Sequence, residues 1–530
     1  MRILLINPYY PISETPSPPL GLAYLAAALS EAGADVRILD LVVYPYSRSM
    51  LHTLLNSFDP QIAGVTSVTM TFDNAMEVFR DLKHINPDIL TVMGGPHVSF
   101  CATRTLADHP ELDIIVFGEG ERTIVDLMQT AQNGAAWEQI KGIAYRNGSE
   151  ICQTAQRELI PKLDTLPHPA RQLLPLGRYR ALGMPITMTT SRGCPFKCIF
   201  CVGRKMVGDK VRYRGAGNVV DELEHLKKLN FHQINIADDL FTANNSHCTA
   251  VCDEIIKRGL KITWTSFARV DTVSNELLAK MKAAGCIAVS FGIESANAKI
   301  LKTIKKGITR QQVVDAVHMC NRAGITPYAS FILGLPGETP DTIKETMDFG
   351  QQLKDLGLAF GFHLLAPFPG TEVRDNHSSF GINILSHDWR QYHANRAIIE
   401  TPEVKREMLD SLVIEWEEEY NHYLADIKTR MLQGKATTQE ADQVVNLERT
   451  VLIYELMMKN AVEQEGSWSL ENRLLTQNEL LKRLSNRISH LTDSTSEALY
   501  NTLSHSLRQG NLGYSIQNGA IQWNWVDFLA

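Results

Sequence analysis

Three cysteines in the middle of the chain have the spacing needed to hold a redox-active metal centre. Cys194, Cys198 and Cys201 stand as C-x3-C-x2-C on one short segment. Three thiolates on one loop can each bind a different iron of a [4Fe–4S] cube. The fourth iron then has no protein ligand, and a catalytic metal centre needs such an open position. The alternatives are a zinc site with a fourth ligand from elsewhere, or three ordinary core cysteines.

The other six cysteines are scattered along the chain, which indicates reduced thiols rather than a disulfide framework. With the three of the loop, the chain has nine cysteines, which is an odd number. The apolar run Ile3–Ile6 after Met1 is too short for the core of a signal peptide. No stretch approaches the roughly 18 apolar residues of a membrane span. We therefore expect a cytoplasmic protein without a transmembrane segment.

The overall composition is that of an ordinary soluble globular protein, and the alternation of strand-like and helical stretches described below predicts the α/β fold class. The chain has 530 residues, of which 44% are hydrophobic and 21% charged. Its formal net charge is −7, which argues against a protein that coats nucleic acid, since that function needs a basic excess.

The cysteine loop needs a scaffold, and the pattern around it predicts a partial (βα)6 barrel over 186–390. Strand-like runs are at 187–190, 233–237, 262–266, 287–293, 327–333 and 359–365. Helical stretches lie between them near 217–229, 246–259, 274–284, 310–323 and 340–356. Repeated right-handed crossovers build such a barrel, and its working face is at the carboxyl ends of the strands. The cysteines directly follow the first strand and so belong to that face.

The first 150 residues predict a second sheet, parallel and doubly wound. Buried apolar strands are expected at Arg2–Ile6, Val36–Leu39, Ile62–Thr66, Ile89–Met93 and Ile114–Phe117. Amphipathic stretches separate them near 20–32, 73–85 and 121–132. Glycine-rich turns follow the fourth and fifth strands, and in such sheets ligands bind beyond the carboxyl ends. We interpret 1–150 as a Rossmann-like ligand-binding domain.

Two further regions complete the predicted organisation. Residues 151–185 contain five prolines and are predicted to be a linker. Residues 391–530 are predicted to be a helical extension, with one long helix around 409–431 and a terminal hairpin at Asn518-Gly519.

The extension invites two interpretations. It could close over the barrel mouth as a substrate lid, because a reactive centre there must be kept from water. Alternatively, helices in 475–508 and the hairpin could form a winged-helix shape carrying Lys482, Arg483 and Arg487. This local patch is the only feature that favours binding to nucleic acid. We therefore expect no nucleic-acid partner.

The cysteine loop, placed after the first barrel strand and with Phe200 before its third cysteine, resembles that of the radical S-adenosylmethionine (SAM) family. The resemblance covers roughly 186–375. It implies that SAM chelates the open iron through its amine and carboxylate. It also implies that one electron from the reduced cluster cleaves SAM to a 5′-deoxyadenosyl radical. That radical removes hydrogen from an unactivated carbon.

The same resemblance implies a set of SAM-binding residues at the strand ends. Asp238 and Asp239 follow the second strand, where the family often has Gly-Gly-Glu, and a solvated strand end is the alternative. Glu294 ends the fourth strand and could reach the ribose or the amine, unless it is only a helix cap. Gly334 and Gly337 follow the fifth strand, where adenine could approach the backbone closely, or where a plain turn could form. The full set comprises Phe200, Asp238, Asp239, Glu294, Gly334 and Gly337.

The N-terminal region resembles the cobalamin-binding domain fused to one branch of this family. The residues assigned to cobalamin are Pro8, Thr66, Ser67, Thr69, Gly94, Gly95, Gly118 and Glu119. Cobalamin-ligating domains of mutases carry Asp-x-His-x-x-Gly, which is absent here, so the lower cobalt face is expected to lack a histidine. His97 is interpreted as a turn residue. The alternative is a degenerate domain that binds nothing.

The activity implied by the resemblance is methyl transfer from methylcobalamin to a substrate carbon. The substrate would be a small molecule, such as a natural product, tetrapyrrole or lipid, and the electron donor a flavodoxin or ferredoxin. The first alternative is a cobalamin-dependent radical oxidation or cyclisation, as in the anaerobic tetrapyrrole cyclase. Minor alternatives are an RNA-modifying enzyme, which usually needs three further N-terminal cysteines where this chain has only Cys101, and a non-catalytic cobalamin sensor.

Overall fold

A computed structural model describes residues 1–10, 16–134, 136–470 and 475–529 and contains two large sheets. The first sheet has seven strands in the order β2-β1-β3-β4-β5-β6-β7. Its strands are β1 Arg2–Asn7, β2 Asp35–Asp40, β3 Ile62–Thr66, β4 Leu90–Gly94, β5 Ile114–Val116, β6 Ile143–Asn147 and β7 Glu150–Gln153. Its helices are α1 Leu20–Glu31, α2 Arg48–Phe58, α3 Phe72–Ile85, α4 Ala102–Asp108 and α5 Glu121–Asn133.

Helices cover both faces of this sheet because its parallel strands are apolar on both sides. Alternate strand residues such as Leu5 and Val92 pack against α1 and α5. The intervening residues, such as Ile6 and Met93, pack against α2, α3 and α4. The five parallel strands confirm the predicted doubly wound arrangement, and their carboxyl ends share one edge.

The predicted linker contains regular structure that its prolines did not reveal. β6 and β7 form an antiparallel hairpin on the edge of the first sheet, so the sheet continues past residue 150 to Gln153. A short helix, α6 Leu176–Ala181, follows. The prolines interrupt the segment between these elements without preventing them.

The second sheet is the predicted incomplete barrel, with six parallel strands in the order β15-β14-β13-β12-β11-β8. Its strands are β8 Ile186–Met188, β11 Ile234–Ile236, β12 Trp264–Ala268, β13 Cys286–Glu294, β14 Thr326–Leu333 and β15 Ala359–Leu364. A two-residue ladder, β9 Ser191–Arg192 with β10 Arg212–Tyr213, flanks the cysteine loop. Its helices are α7 Gly203–Val207, α8 Ala216–Lys228, α9 Asn245–Lys257, α10 Asn275–Ala283, α11 Ala298–Thr303, α12 Arg310–Ala323, α13 Pro340–Asp355 and α14 Glu372–Asp375.

The C-terminal region begins with a short antiparallel pair and one long helix. The pair is β16 Asn383–Ile384 with β17 Ile399–Glu400, and the helix is α15 Arg406–Leu432. The long helix was expected, but most of it is exposed, and only Leu409 and Ile427 are fully buried. The segment before it joins the barrel core, since Ile399 and Leu409 pack against Gly334.

The rest of the C-terminal region has the order of helices and strands of a winged helix. It consists of α16 Thr438–Met458, α17 Ala461–Glu465, β18 Ser467–Ser469, α18 Gln477–Ile488, α19 Ser496–Arg508, β19 Leu512–Gln517 and β20 Ala520–Trp525. Two residues of the predicted basic patch are engaged internally, because Arg483 and Arg487 lie over the Trp468 ring and Arg487 also pairs with Glu465. This unit packs on α6 and on the loop after β2. Among the described residues, no helix is long and apolar enough to cross a membrane.

Candidate active site

The cysteine loop begins where the β8 segment turns into the β9–β10 ladder. Gly193 immediately precedes Cys194 and has a φ of +116°, and a Cβ there would lie 2.7 Å from the Lys210 carbonyl oxygen. Only glycine fits such a conformation and approach. The N–H of Cys194 then donates to the Gly208 carbonyl. The backbone therefore fixes the direction in which the loop leaves the barrel.

The three thiols do not gather around a single point. Among the described residues, no group of three or more His, Cys, Asp or Glu could hold one metal ion. All three cysteines are free thiols. Burial raises the pKa of Cys201, and the charges of Cys198 and Cys194 raise it further. Three thiols on one loop fit a cube in which each thiolate binds its own iron.

Two cations lie beside the thiols and were not singled out from the sequence. Burial raises the pKa of Cys194 and of Cys198, while the positive charges of Arg269 and Lys306 oppose this rise. The Arg269 guanidinium lies 3.6 Å from the centre of the Phe196 ring, inside the cysteine loop. Its Nη1 is buried without a hydrogen-bond partner in the described structure. An anionic cluster or a SAM carboxylate would supply that partner.

The two neighbouring aspartates have different roles, which corrects the expectation that both contact SAM. Asp238 is buried and accepts four hydrogen bonds, from the N–H and hydroxyl groups of Thr190 and Ser191. Its carboxylate therefore holds the turn after β8. Asp239 accepts one hydrogen bond from the Gly193 N–H and lines a cavity beside the cysteine loop. Only Asp239 keeps an oxygen free for a ligand.

Glu294 lies at the end of β13 in a left-handed backbone conformation, with a φ of +69°. Its Oε1 is 2.8 Å from Lys306 Nζ, and both side chains are buried. A Cβ on Gly292 would collide with both groups, at 2.4 and 2.8 Å. The Glu294–Lys306 pair therefore occupies space that is free only because residue 292 is glycine. The carboxylate and ammonium could together bind a zwitterionic group such as the amino-acid end of SAM.

The other predicted SAM residues are in the turn after β14 and in the cysteine loop, and the structure corrects one expectation. Gly334 and Gly337 have φ values of +85° and +83°. The free side of Gly334 is covered by Ile399 and Leu409 at 3.1–3.2 Å, so the close approach there is made by the C-terminal segment. Glu338, a residue not assigned from the sequence, accepts from the N–H groups of Gly334 and Leu335 and stiffens the turn. Phe200 is partly buried against the barrel core.

A cavity of about 360 Å³ lies between the carboxyl edge of the first sheet and the residues that flank the cysteine loop. Its upper wall contains five residues assigned to cobalamin, namely Thr66, Gly94, Gly95, Gly118 and Glu119. Its floor is apolar and includes Leu5, Val92 and Ile124, while Ser191, Arg192 and Asp239 of the barrel close the opposite side. An apolar slot below glycine-rich turns suits a flat aromatic tail with polar amides and a phosphate above it. These features fit cobalamin.

Three residues assigned to cobalamin do not line the cavity. Pro8 is buried at the end of β1. Ser67 donates its hydroxyl hydrogen to the Val68 carbonyl. The Thr69 hydroxyl lies 3.3 Å from His97 Nδ1. A one-residue change of register along a strand end reverses the direction of a side chain, and the sequence did not fix that register.

His97 is a packing residue, as expected from its turn position. Its ring lies against Phe72 at 4.4 Å and against Trp389 at 4.8 Å. Burial lowers the pKa of His97 to about 3. Among the described residues, no histidine lines the cavity.

The absence of a cavity histidine predicts the spectrum of bound cobalamin. We expect the EPR spectrum of cob(II)alamin in this protein to lack the nitrogen superhyperfine splitting that a histidine ligand gives. His97→Ala should leave the spectrum unchanged, because its ring contacts Phe72 and Trp389 rather than the cavity. A nitrogen splitting that disappears in His97→Ala would contradict this assignment.

Comparisons with known proteins place this geometry in context. Residues 188–350 match the radical SAM superfamily, and residues 13–128 match the B12 binding domain. The chain is 35% identical over 420 residues to an uncharacterized methyltransferase of Pyrococcus horikoshii, covering 78% of this chain and 91% of the relative. It is 31% identical to the anaerobic magnesium-protoporphyrin IX monomethyl ester cyclase of Cereibacter sphaeroides, covering 78% and 69%. The fold is similar to that of the cobalamin-dependent SAM radical enzyme OxsB, with a TM-score of 0.68, 19% identity and coverage of 96% and 84%.

Proposed function

The chain belongs to the radical SAM enzymes that carry a B12-binding domain, and from that premise we propose that it transfers a methyl group to an unactivated carbon of a small-molecule substrate. When bound, the [4Fe–4S] cluster and SAM supply the 5′-deoxyadenosyl radical, and cobalamin supplies the methyl group. The protein contributes the binding, orientation and enclosure of these groups. Cys194, Cys198 and Cys201 would hold the irons, while Arg269 and Lys306 stabilise negative charge beside them.

The observation that carries this proposal is the shared cavity. Gly94, Gly95 and Gly118 of the first domain and Ser191 and Asp239 of the barrel line one shared cavity. A methyl group can pass between two cofactors and a substrate only if all three meet in one place. The proposed reaction needs this common space, and two separate sites would not provide it.

The interior of the barrel indicates which substrate would suit it. Along β11–β15 the residues that alternate with the buried outer face point into the lumen. These inward positions are Asn235, Thr265, Phe267, Ala288, Ser290, Gly292, Tyr328, Ser330, Ile332, Gly361 and His363. Glu294, at the end of β13, is the one charged residue of these strands, and it pairs with Lys306. We therefore expect the substrate to be recognised mainly through shape, apolar contact and neutral hydrogen bonds near its reacting carbon.

Phe267 and Tyr328 flank Ser290 in one layer of this lumen and are 51% and 46% exposed. We expect Phe267→Ala and Tyr328→Ala each to lower product formation about tenfold, because each removes the apolar contact of one ring. SAM cleavage without substrate should not change. Ile256→Ala is the matched control, since Ile256 is 45% exposed on α9 outside the barrel. Unchanged product in both lumen variants would contradict this location of the substrate.

The reductant we propose is an acidic one-electron carrier such as a flavodoxin or ferredoxin. Lys197, Lys205 and Lys210 are exposed around the cysteine loop. Positive charge beside the cluster would attract an acidic carrier and shorten the path of the electron.

The mass of the product tests the proposed reaction. The reconstituted protein is incubated with SAM bearing a deuterated methyl group and with a metabolite extract of the organism that encodes it. Methylation adds one labelled methyl to the product, a gain of about 14 Da without label. A product that forms with 5′-deoxyadenosine but carries no label would replace this proposal with an oxidation or cyclisation, which the similarity to the cyclase favours.

A further inference from the structure

A buried ionic contact joins the first domain to the barrel directly before the cysteine loop. Arg192 Nη2 lies 2.6 Å from Glu121 Oε1, and Arg192 Nη1 lies 3.2 Å from Glu119 Oε1. Arg212 donates to both oxygens of Glu119 at 2.9 Å. The side chains of Glu119 and Glu121 are only 6–7% exposed. The contact thus links two domains without access to solvent.

Glu119 is already satisfied by protein groups, although it was assigned to cobalamin from the sequence. Besides Arg192 and Arg212, it accepts a hydrogen bond from the Ile160 N–H at 2.8 Å. Burial favours the protonated acid, but the hydrogen bonds from Arg212 and Ile160 prevail and lower the pKa of Glu119. A buried carboxylate with a complete set of partners is stable only while those partners stay in place. Glu119 therefore acts on the barrel rather than on a ligand.

Glu121 has one oxygen to spare. Its Oε2 is buried and has no hydrogen-bond partner in the described structure, while the residue lines the cavity assigned to cobalamin. A buried acceptor without a donor is costly, and a ligand that donates an N–H would remove that cost. The side-chain amides of a corrin ring are such donors.

Arg192 is adjacent in sequence to the cysteine loop. It immediately precedes Gly193, whose backbone is confined by its contact with the Lys210 carbonyl, and then Cys194. A shift of the Arg192 backbone must therefore be passed to the first iron ligand. The guanidinium of Arg192 is held by Glu119 and Glu121. Both belong to the turn Gly118–Glu121, which forms part of the cavity wall. One side chain thus connects the wall of one cofactor site to the ligand loop of the other.

We propose that Arg192 is a positioning residue that sets the distance between cobalamin and the iron–sulfur cluster, with Glu121 holding both Arg192 and a corrin amide. This inference rests on the proposed function, since it needs both cofactors in one molecule. Arg192 and Glu121 themselves take no part in the chemistry.

Glu121→Gln and Arg192→Lys test the proposal in the full-length protein loaded with hydroxocobalamin and a reconstituted cluster. Glu121→Gln should weaken cobalamin binding about tenfold, because a charge-assisted contact is lost. In both variants, the EPR signal of cob(II)alamin should show a different magnetic interaction with the reduced cluster. Iron content and melting temperature should stay at wild-type values in Glu121→Gln, because the cluster ligands and the fold do not depend on this carboxylate.

Asp73→Asn is the matched control, because the Asp73–Arg390 pair joins the first domain to the segment after β15 on the exposed surface. It should leave the EPR interaction unchanged. Wild-type cobalamin affinity together with a wild-type EPR interaction in Glu121→Gln would overturn the proposal, even if Arg192→Lys lost its cluster. If the wild-type protein binds no cobalamin, the proposed function fails first, and the two failures are thereby distinguished.

Discussion

Alanine in place of Cys194, Cys198 or Cys201 should reduce SAM cleavage to the level of protein without iron. Each thiolate binds a different iron, so the loss of one opens a second iron and destabilises the cube. The loop offers no substitute, because no further Cys lies between Gly193 and Gly203. The measurement is 5′-deoxyadenosine formation after anaerobic reconstitution, together with the iron content and the visible spectrum of the cluster.

Cys320→Ala is the matched control for this prediction. Cys320 is a fully buried thiol on α12, in the same barrel but away from the loop. Its replacement should cost roughly 1 kcal/mol of stability through lost packing and should leave SAM cleavage intact. Normal 5′-deoxyadenosine formation in any of the three loop variants would remove that cysteine from the cluster ligands.

The main elements of the fold could be predicted from the sequence because buried parallel strands give short apolar runs that end in glycine or polar turns. Each of the eleven predicted strands in the two parallel sheets has a counterpart in the structure. The β6–β7 hairpin was missed because its strands are short, half polar and close to a proline-rich segment. An edge hairpin of this kind is stabilised by pairing with β5. The sequence pattern of the hairpin itself does not indicate that pairing.

The site was less predictable than the fold, because the direction of a side chain at a strand end depends on a single residue of register. Asp238 and Asp239 are adjacent and chemically identical, yet the first is consumed by Thr190 and Ser191 while the second faces the cavity. The same reason separates Ser67 from Thr66. Arg269 directly follows β12 and Lys306 lies between α11 and α12, both distant in sequence from the cysteines, so only the folded barrel brings them together.

That the C-terminal region forms a lid stays a prediction. The contacts in the structure indicate which part of the region could form it. Ile399 and Leu409 pack at the end of β14, beside the barrel mouth. The winged-helix unit instead packs on α6 and on Val42 and Val43 after β2. If any part of this region covers the substrate, it is the segment that includes Ile399 and Leu409. A truncation at residue 391 would also remove core residues, so it could not isolate a lid.

Gly95→Ala should weaken cobalamin binding about a hundredfold and leave the cluster intact. Gly95 has a φ of +110°, and a Cβ there would lie 2.4 Å from the carbonyl oxygen and 2.8 Å from the nitrogen of Ser67. Both atoms are backbone, so the ends of β3 and β4 would have to separate where Ser67 donates to the Gly94 carbonyl. Clash and backbone strain together cost about 2–3 kcal/mol, which corresponds to about a hundredfold loss of affinity.

Visible absorbance of the desalted protein after loading with hydroxocobalamin measures this loss. Gly134→Ala is the control, because Gly134 also has a positive φ, +63°, but a Cβ there meets nothing within 4 Å. It ends α5, away from the cavity, and should cost only the strain of the conformation. Iron content and 5′-deoxyadenosine formation should be unchanged in both variants, because the cysteine loop belongs to the barrel. Equal cobalamin content in Gly95→Ala and the wild type would show that the turn after β4 does not hold the cofactor.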